Sequence, residues 1–295
     1  HSKIVNEISL KYKDEIDFVG FHGQTIFHNA KEKISKQLGD PRLLFQLVNK
    51  KIVYNFRQND LANGGEGAPL SPIFHKLITE KNKINLPLCV LNIGGISNVT
   101  LIDKFDFNKL VSRDIGPGNC LIDEWVRKNT KDKFDNYGEI AKKGKINELI
   151  LNQALDDFIN RPNKNILSFD TKDFSLGFVR GLSLEDGAAT LTDYTGGIIE
   201  TELLNLLSNF RDKFWNILIC GGGRKNITLM ERIKNKVLKN LSIQPIDDYG
   251  IDGDYVESQA FAYLAVRSYL GLPISFPETT GCKRPTTGGV LVKNY

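Results

Sequence analysis

The run from Val111 to Trp125 reads VSRDIGPGNCLIDEW, and its residue types are suited to chemistry. Asp114 closes a partly apolar stretch that predicts a buried strand, and in α/β sheets ligands collect beyond the carboxyl ends of strands. Gly116 and Gly118 allow close backbone approach, Pro117 stiffens the turn, and a helix starting near Asn119 would aim its first N–H groups at the same space. A carboxylate and a set of donors converge. A plain turn, with Asp114 bonding nearby amides and Asn119 capping the helix, accounts for the same residues.

Two further glycine clusters bear on that choice. Asn92-Ile93-Gly94-Gly95-Ile96-Ser97-Asn98 predicts a tight hairpin whose backbone N–H groups and small polar side chains suit a phosphate. A simple hairpin turn is the alternative. Cys220-Gly221-Gly222-Gly223-Arg224-Lys225-Asn226 falls between a predicted buried strand and a helix, so its three glycines would let a flat or bulky ligand lie against the backbone. The spacing matches neither a P-loop nor GxGxxG.

The elements that must position these residues follow from periodicity and turn signals. Phe18 to Phe21, Lys51 to Phe56, Leu88 to Ile93, Ser97 to Ile102 and Phe214 to Cys220 read as strands. Leu43 to Val48, Pro72 to Lys81, Asn147 to Phe158, Asp186 to Leu204 and Gly253 to Leu270 read as helices, another follows from Asn226, and the charged N-terminal run has a helical pattern. Leu61 to Ser71, LANGGEGAPLS, is too rich in glycine for an element interior. Strands alternating with helices give an α/β protein, with a boundary expected between a first domain, 1–85, and a second, 86–295.

The 295 residues are 41% hydrophobic and 25% charged, an ordinary globular composition. The +4 formal charge comes from 39 basic and 35 acidic residues spread along the chain, which leaves no footprint for nucleic acid. No apolar run approaches membrane-spanning length. Cys89, Cys120, Cys220 and Cys282 have no metal-ligand spacing and read as reduced thiols of a cytoplasmic protein.

In their order along the chain, a strand-turn-strand with Gly-Gly, an acid before Gly-Pro-Gly-Asn, and a strand followed by Gly-Gly-Gly-x-x-Asn resemble the superfamily of sugar kinases, heat-shock chaperone ATPases and actin. The stretches GFHGQTIFH, NFRQND, NGGEGAPLSPIFH, LNIGGISNVT, RDIGPGNCLID, DGAATLT, DYGIDGDYVESQAFA and FPETTGCKRPTTGG narrow the resemblance to the anhydro-N-acetylmuramic acid kinase family, across nearly the whole chain. The resemblance implies a two-domain actin-like ATPase (ribonuclease H-like) fold. It also implies an activity: with ATP and Mg2+, phosphorylation of the sugar at its 6-oxygen while water opens the 1,6-anhydro bridge.

It further implies roles. Asp114 is the base that takes a proton from water, and Ile115 replaces the family's usual threonine there. Asp123, one turn into the next helix, is the second-ranked carboxylate. His22, Gln24, Arg57, Asp60, Asn119 and Glu257 are expected on the sugar, Arg57 with a fork suited to the lactyl carboxylate. Asn92, Gly94, Gly95, Ser97, Asn98, Gly116, Gly221, Gly222, Gly223 and Asn226 are expected around the nucleotide. His28 and His75 are expected to be structural, the loop Asp170 to Phe174 lacks the family's arginine, and no metal ligand is assigned. The family's opening phosphate-binding hairpin is not matched before HGQT. The chain therefore reads as part of a longer parent protein, with a shortened first domain, a surface prone to self-association or to pairing with a complementing N-terminal segment, and low activity alone. A kinase for another amino sugar, or a nucleotide-binding remnant without catalysis, are the alternative readings.

Overall fold

The computed structural model describes residues 1–12, 16–104, 110–161, 168–208, 214–236 and 241–292. They form an α/β architecture in two compact units, the first comprising His1–Lys83, Phe105–Ser112 and Glu257–Tyr295, the second Ile84–Lys104 and Arg113–Val256. A single division at residue 85 therefore differs from these units in two respects: residues 105–112 and the C-terminal stretch both group with the first.

The first unit starts with Ser2–Lys11 (α1), Phe18–Gly20 (β1), Gln24–Asn29 (β2), Ile34–Leu38 (β3), Pro41–Val48 (α2), Lys51–Tyr54 (β4), Gln58–Ala62 (α3) and Pro72–Lys81 (α4). β1 and β4 pair in parallel. The helix α2 starts where it does because the Asp40 carboxylate accepts the Arg42 and Leu43 N–H groups at 2.8 and 3.1 Å, with Pro41 preset for the first turn. It stops at Asn49, which turns left-handed at φ 49°. The hairpin of β2 and β3 is absent from the sequence reading beyond His28: its residues are mostly exposed and give no apolar alternation to detect.

The second unit is built on Leu88–Ile93 (β5), Ile96–Ile102 (β6), Leu110–Pro117 (β7), Cys120–Asn129 (α5), Glu139–Lys143 (α6), Glu148–Ile159 (α7), Leu184–Leu207 (α8), Trp215–Cys220 (β8), Ile227–Lys236 (α9) and Leu241–Pro245 (β9). Its sheet has the order β7-β6-β5-β8-β9. β6 runs antiparallel to β5, while β8 and β9 run parallel to it. This third-second-first-fourth-fifth order, with an antiparallel second strand, is the sheet of the actin-like ATPase architecture. The central strand β5 is apolar almost throughout because both its faces are covered. Cys89, Leu91 and Ile93 pack with Ile217 and Ile219 of β8, Ile199 and Leu203 of α8, and Leu229 and Ile233 of α9.

The chain continues as Val256–Tyr269 (α10), Pro277–Thr280 (α11) and Val290–Leu291 (β10), the last antiparallel to β4. Leu264 and Ala265 of α10 and Ile274 and Phe276 beyond it pack with Val53, Phe56, Leu70 and Ile73 in the first unit's core. The four cysteines are free thiols. No helix among the described residues is long and apolar enough to cross a membrane.

Candidate active site

In the second unit the turn Gly94–Gly95 joins β5 to β6, and the start of α5 grips it. The N–H groups of Gly118, Asn119 and Cys120 donate to the carbonyls of Gly95, Gly94 and Gly95 at 2.9, 2.7 and 3.2 Å. The Asn119 amide Nδ2 adds bonds to the Ile93 and Gly94 carbonyls at 3.3 and 3.1 Å. Buried Ser97 donates its hydroxyl to the Pro117 carbonyl at 3.1 Å. These bonds correct one expectation: the amides at the head of α5 hold the neighbouring turn, because its carbonyls need donors. Asn119 and Ser97 therefore act within the protein framework in this arrangement.

The glycine run after β8 closes onto the same place. Gly221 sits at φ +81° with its N–H on the Gly253 carbonyl at 3.1 Å, and a side chain there would collide with the Asn92 amide oxygen. A side chain on buried Gly223 would collide with Ile93. Gly222 is different: a Cβ there would meet nothing nearer than Asn119 Nδ2 at 3.9 Å. Gly95 is as open, with only a Thr171 methyl at 3.9 Å, and Gly94 has ordinary contacts at 3.5 and 3.7 Å. Asn92 and Asn98 lie opposite each other across β5 and β6, both half-buried. Gly116 is buried, and Asn226 accepts the Leu229 N–H at 3.0 Å as the cap of α9. What remains exposed is a backbone surface of Gly94, Gly95 and Gly222 linked through Asn119.

Asp114 lies within β7, not at its end, because the strand stays extended through Pro117. Its carboxylate is half-buried and accepts the Phe169 N–H at 2.8 Å. Phe169 also walls a cavity of about 880 Å3 together with Phe158, Phe174, Phe178 and Tyr194, and the Arg161 guanidinium lies 3.8 Å over the Phe158 ring. The stretch Asp170 to Phe174 is a capped turn here, Asp170 accepting the Lys172 N–H at 2.9 Å. Asp123, in the first turn of α5, has its carboxyl pushed up to about 6, chiefly by burial, with Arg127 opposing and Asp135 adding to the rise. A carboxyl raised toward neutrality and a carboxylate fixed by a backbone N–H are both compatible with a base, so Asp114 and Asp123 both stay candidates on this geometry.

In the first unit, His22 and Arg57 form one assembly. Arg57 donates from Nε to His22 Nε2 at 2.9 Å and from Nη1 to the Gly67 carbonyl at 2.7 Å. His22 Nε2 is thus an acceptor, and Nδ1 carries the proton, donated to the Gly23 carbonyl at 3.0 Å. Burial, then the Arg57 charge, lowers the imidazole to about 4, so the ring is neutral at physiological pH. It packs on Phe261 with ring centroids 4.2 Å apart. Asp60 is buried and accepts the Gly67 N–H at 2.6 Å and the Thr280 hydroxyl at 2.7 Å. It holds the 63–67 loop, whereas the resemblance implies a contact with the sugar. Glu66, which the sequence reading passed over, has its carboxyl raised by burial and by Asp60. Gln24 opens β2 and Glu257 sits in the first turn of α10, both exposed. His28 pairs with the Ser35 hydroxyl at 3.0 Å, and buried His75 is lowered to about 4 by burial, in keeping with structural places for both.

The family model for anhydro-N-acetylmuramic acid kinase matches residues 2–294. The anhydro-N-acetylmuramic acid kinase of Pelagibacter ubique is 56% identical over 295 residues, covering 100% of this chain and 79% of that protein. That of Zymomonas mobilis is 42% identical over 277 residues, covering 93% and 72%. That of Methylorubrum extorquens is 40% identical over 280 residues, covering 94% and 71%. Among solved structures, the activator of the 2-hydroxyisocaproyl-CoA dehydratase from Clostridium difficile with bound ADPNP matches 81% of this chain and 87% of its own, at 11% identity and a TM-score of 0.39, too distant to inform the chemistry. The family model and the kinase relatives lead to one assignment: the chain belongs to the anhydro-N-acetylmuramic acid kinase family.

Proposed function

We propose that the protein is an ATP-dependent sugar kinase that converts 1,6-anhydro-N-acetylmuramic acid to N-acetylmuramic acid 6-phosphate, a step of cell-wall sugar recycling in the cytoplasm. The observation that carries the reading is the family match over residues 2–294 in a chain that keeps the Asp114 carboxylate, oriented by the Phe169 N–H. In the reaction, Asp114 takes a proton from water as the water oxygen bonds to C1. The C1–O6 bond breaks, and O6 accepts the γ-phosphoryl group of ATP with release of ADP. Removing such a base costs about 10²-fold to 10⁴-fold in rate.

The nucleotide lies against Gly94, Gly95 and Gly222, where the absence of side chains leaves backbone accessible. The other residues expected there, Asn92, Ser97, Asn98, Gly116, Gly221, Gly223 and Asn226, shape that surface. On the sugar side, Arg57 recognises the lactyl carboxylate from the position that His22 and Gly67 give it, and Glu257 with Gln24 supplies hydrogen bonds. Mg2+ enters with the phosphates. Among the described residues no group of three His, Cys, Asp or Glu is placed to hold a metal, so no side chain is assigned to it.

Incubating the protein with ATP, Mg2+ and the anhydro sugar in H2(18)O tests the reading. The expected product is a sugar monophosphate heavier by one water, with the label at C1. ADP release without that product, or preferential phosphorylation of an amino sugar lacking the anhydro bridge, would overturn it.

A further inference from the structure

Arg224 follows the three glycines directly, where a cation would ordinarily be assigned to phosphate. Its surroundings give it another task. The side chain is 7% exposed, and each guanidinium nitrogen is engaged within the second unit. Nε and Nη2 donate to the two oxygens of Asp247 at 2.7 and 2.9 Å, a bidentate fork. Nη1 donates to Asp254 at 2.6 Å and to the Gly221 carbonyl at 3.0 Å. Asp252 lies 3.7 Å from Nη2. The neighbouring Lys225 is half-exposed and pairs with the same Asp254, but no bond from it to the glycine run is seen among the described contacts.

The same assembly holds the glycine run from its other side. The Gly253 N–H donates to Asp247 at 3.3 Å, and the Gly253 carbonyl accepts the Gly221 N–H at 3.1 Å. Gly221 is thus fixed through both its N–H and its carbonyl, the second by Arg224. Gly253 itself has no room for a side chain: a Cβ there would sit 2.5 Å from Arg224 Nε. Asp247, Asp252 and Asp254, three of the four aspartates in residues 247–254, repel one another unless the guanidinium stands between them.

We propose that Arg224 is a positioning residue for nucleotide binding: through Asp247, Asp254 and the Gly221 carbonyl it fixes the Gly221–Gly223 loop in the conformation that presents Gly222 to the nucleotide. The inference rests on the nucleotide reading of that loop given above. It separates Arg224 from phosphate-contacting cations, because its charge is compensated and its nitrogens are turned to protein acceptors. A loop displaced by about 1 Å loses roughly tenfold to a hundredfold of the function that its geometry supports.

The test measures the KM for ATP, the KM for the sugar and kcat, with calorimetry of ATP binding to the same samples. Arg224→Gln should raise the KM and Kd for ATP by about tenfold to a hundredfold while the KM for the sugar stays within twofold. Gly253→Ala keeps the charge but crowds the guanidinium, and Asp247→Asn weakens the fork; both should shift ATP affinity in the same direction. Lys225→Ala, which removes a cation from the same aspartate without touching the loop, should leave it unchanged. If Arg224→Gln does not fold, the other two variants carry the comparison. Folded Gly253→Ala and Asp247→Asn proteins with normal ATP affinity would overturn the inference, as would equal changes in both KM values. Wild-type protein that binds no ATP would overturn the nucleotide reading and this inference with it.

Discussion

Gly222→Val separates a glycine required by a ligand from one required by the fold. A Cβ on Gly222 would meet no atom nearer than 3.9 Å, and its φ lies outside the left-handed range, so the folded protein has room for the side chain. The stability change should stay within about 1 kcal/mol, the span of ordinary surface substitutions and of glycine replacements at compatible backbone positions. A ligand lying on that backbone at van der Waals distance meets three new carbon atoms instead. Displacing it by even 0.5–1 Å forfeits about a quarter to a half of each affected contact. A loss of ATP affinity of about tenfold to a hundredfold follows, equivalent to about 1.4–2.7 kcal/mol. The sugar's affinity should be unchanged. Calorimetry with each ligand separately, alongside a thermal melt, reads all three quantities. Gly223→Val is the contrast: its side chain would collide with Ile93, so overpacking should destabilise the fold by about 1–3 kcal/mol. A Gly222→Val protein that melts like wild type and binds ATP equally well would refute the placement of the nucleotide on this loop.

Asp114→Asn keeps an oxygen for the Phe169 N–H, so it should fold normally and bind ATP while turnover drops about 10²-fold to 10⁴-fold; near-normal turnover would move the base to Asp123. Asp123→Asn should stabilise the protein at pH 7.5 by about 1–2 kcal/mol after allowance for solvent screening of a partly exposed group, because a carboxyl raised to about 6 makes stability fall as pH rises from the ordinary carboxylate range through 6; a melt showing the same gain at pH 3.5 would contradict this. For His22 the sign is opposite: with the folded ring lowered to about 4 from 6.5, the unfolded chain binds the proton first, and stability declines as pH falls between those values. His22→Asn should flatten that slope by up to about 1.4 kcal/mol per pH unit in urea titrations, while His75 keeps contributing with the same sign and Asp123 with the opposite one. Asp60→Ala leaves the Gly67 N–H and the Thr280 hydroxyl without their buried acceptor and should cost about 2–5 kcal/mol in urea unfolding; a cost below 1 kcal/mol would show that the 63–67 loop is held otherwise.

How far the sequence carried these readings depended on how local each signal was. The strands β5 and β8 and the helix α4 were legible because continuous apolar runs and a proline start mark them within a few residues. The β2–β3 hairpin was not, because an exposed two-stranded ribbon needs no hydrophobic face. Four strands of the second unit's sheet were legible from apolar runs and motif order, while half-buried β9 was not. Nor was the grouping of 257–295 with the first unit, since it rests on packing between residues two hundred positions apart, such as Leu264 with Val53. At the site, Asp114 could be named from its flanking glycines, but its Phe169 partner lies far along the chain and no short motif pairs them.

The glycines show the same limit in its sharpest form. In sequence, Gly221, Gly222 and Gly223 are equivalent, and all were assigned to the nucleotide. In the folded chain, Gly221 is needed for a left-handed turn beside Asn92 and Gly223 for contact with Ile93, while only Gly222 faces open space. Two of the three are thus accounted for by packing, and the third is not: filling its Cβ position would not disturb the protein. Nor does propensity account for it, since glycine at such a position gives up conformational entropy that alanine would spare. The same reasoning applies to Gly95, where the nearest atom is again 3.9 Å away. The proposed nucleotide on the exposed backbone would give a reason at both turns, and the two turns are joined by Asn119, whose amide holds the first and stands beside the second. If the nucleotide lies on these turns as proposed, Asn119, which the resemblance implies on the sugar, is instead the link that keeps the two turns in register.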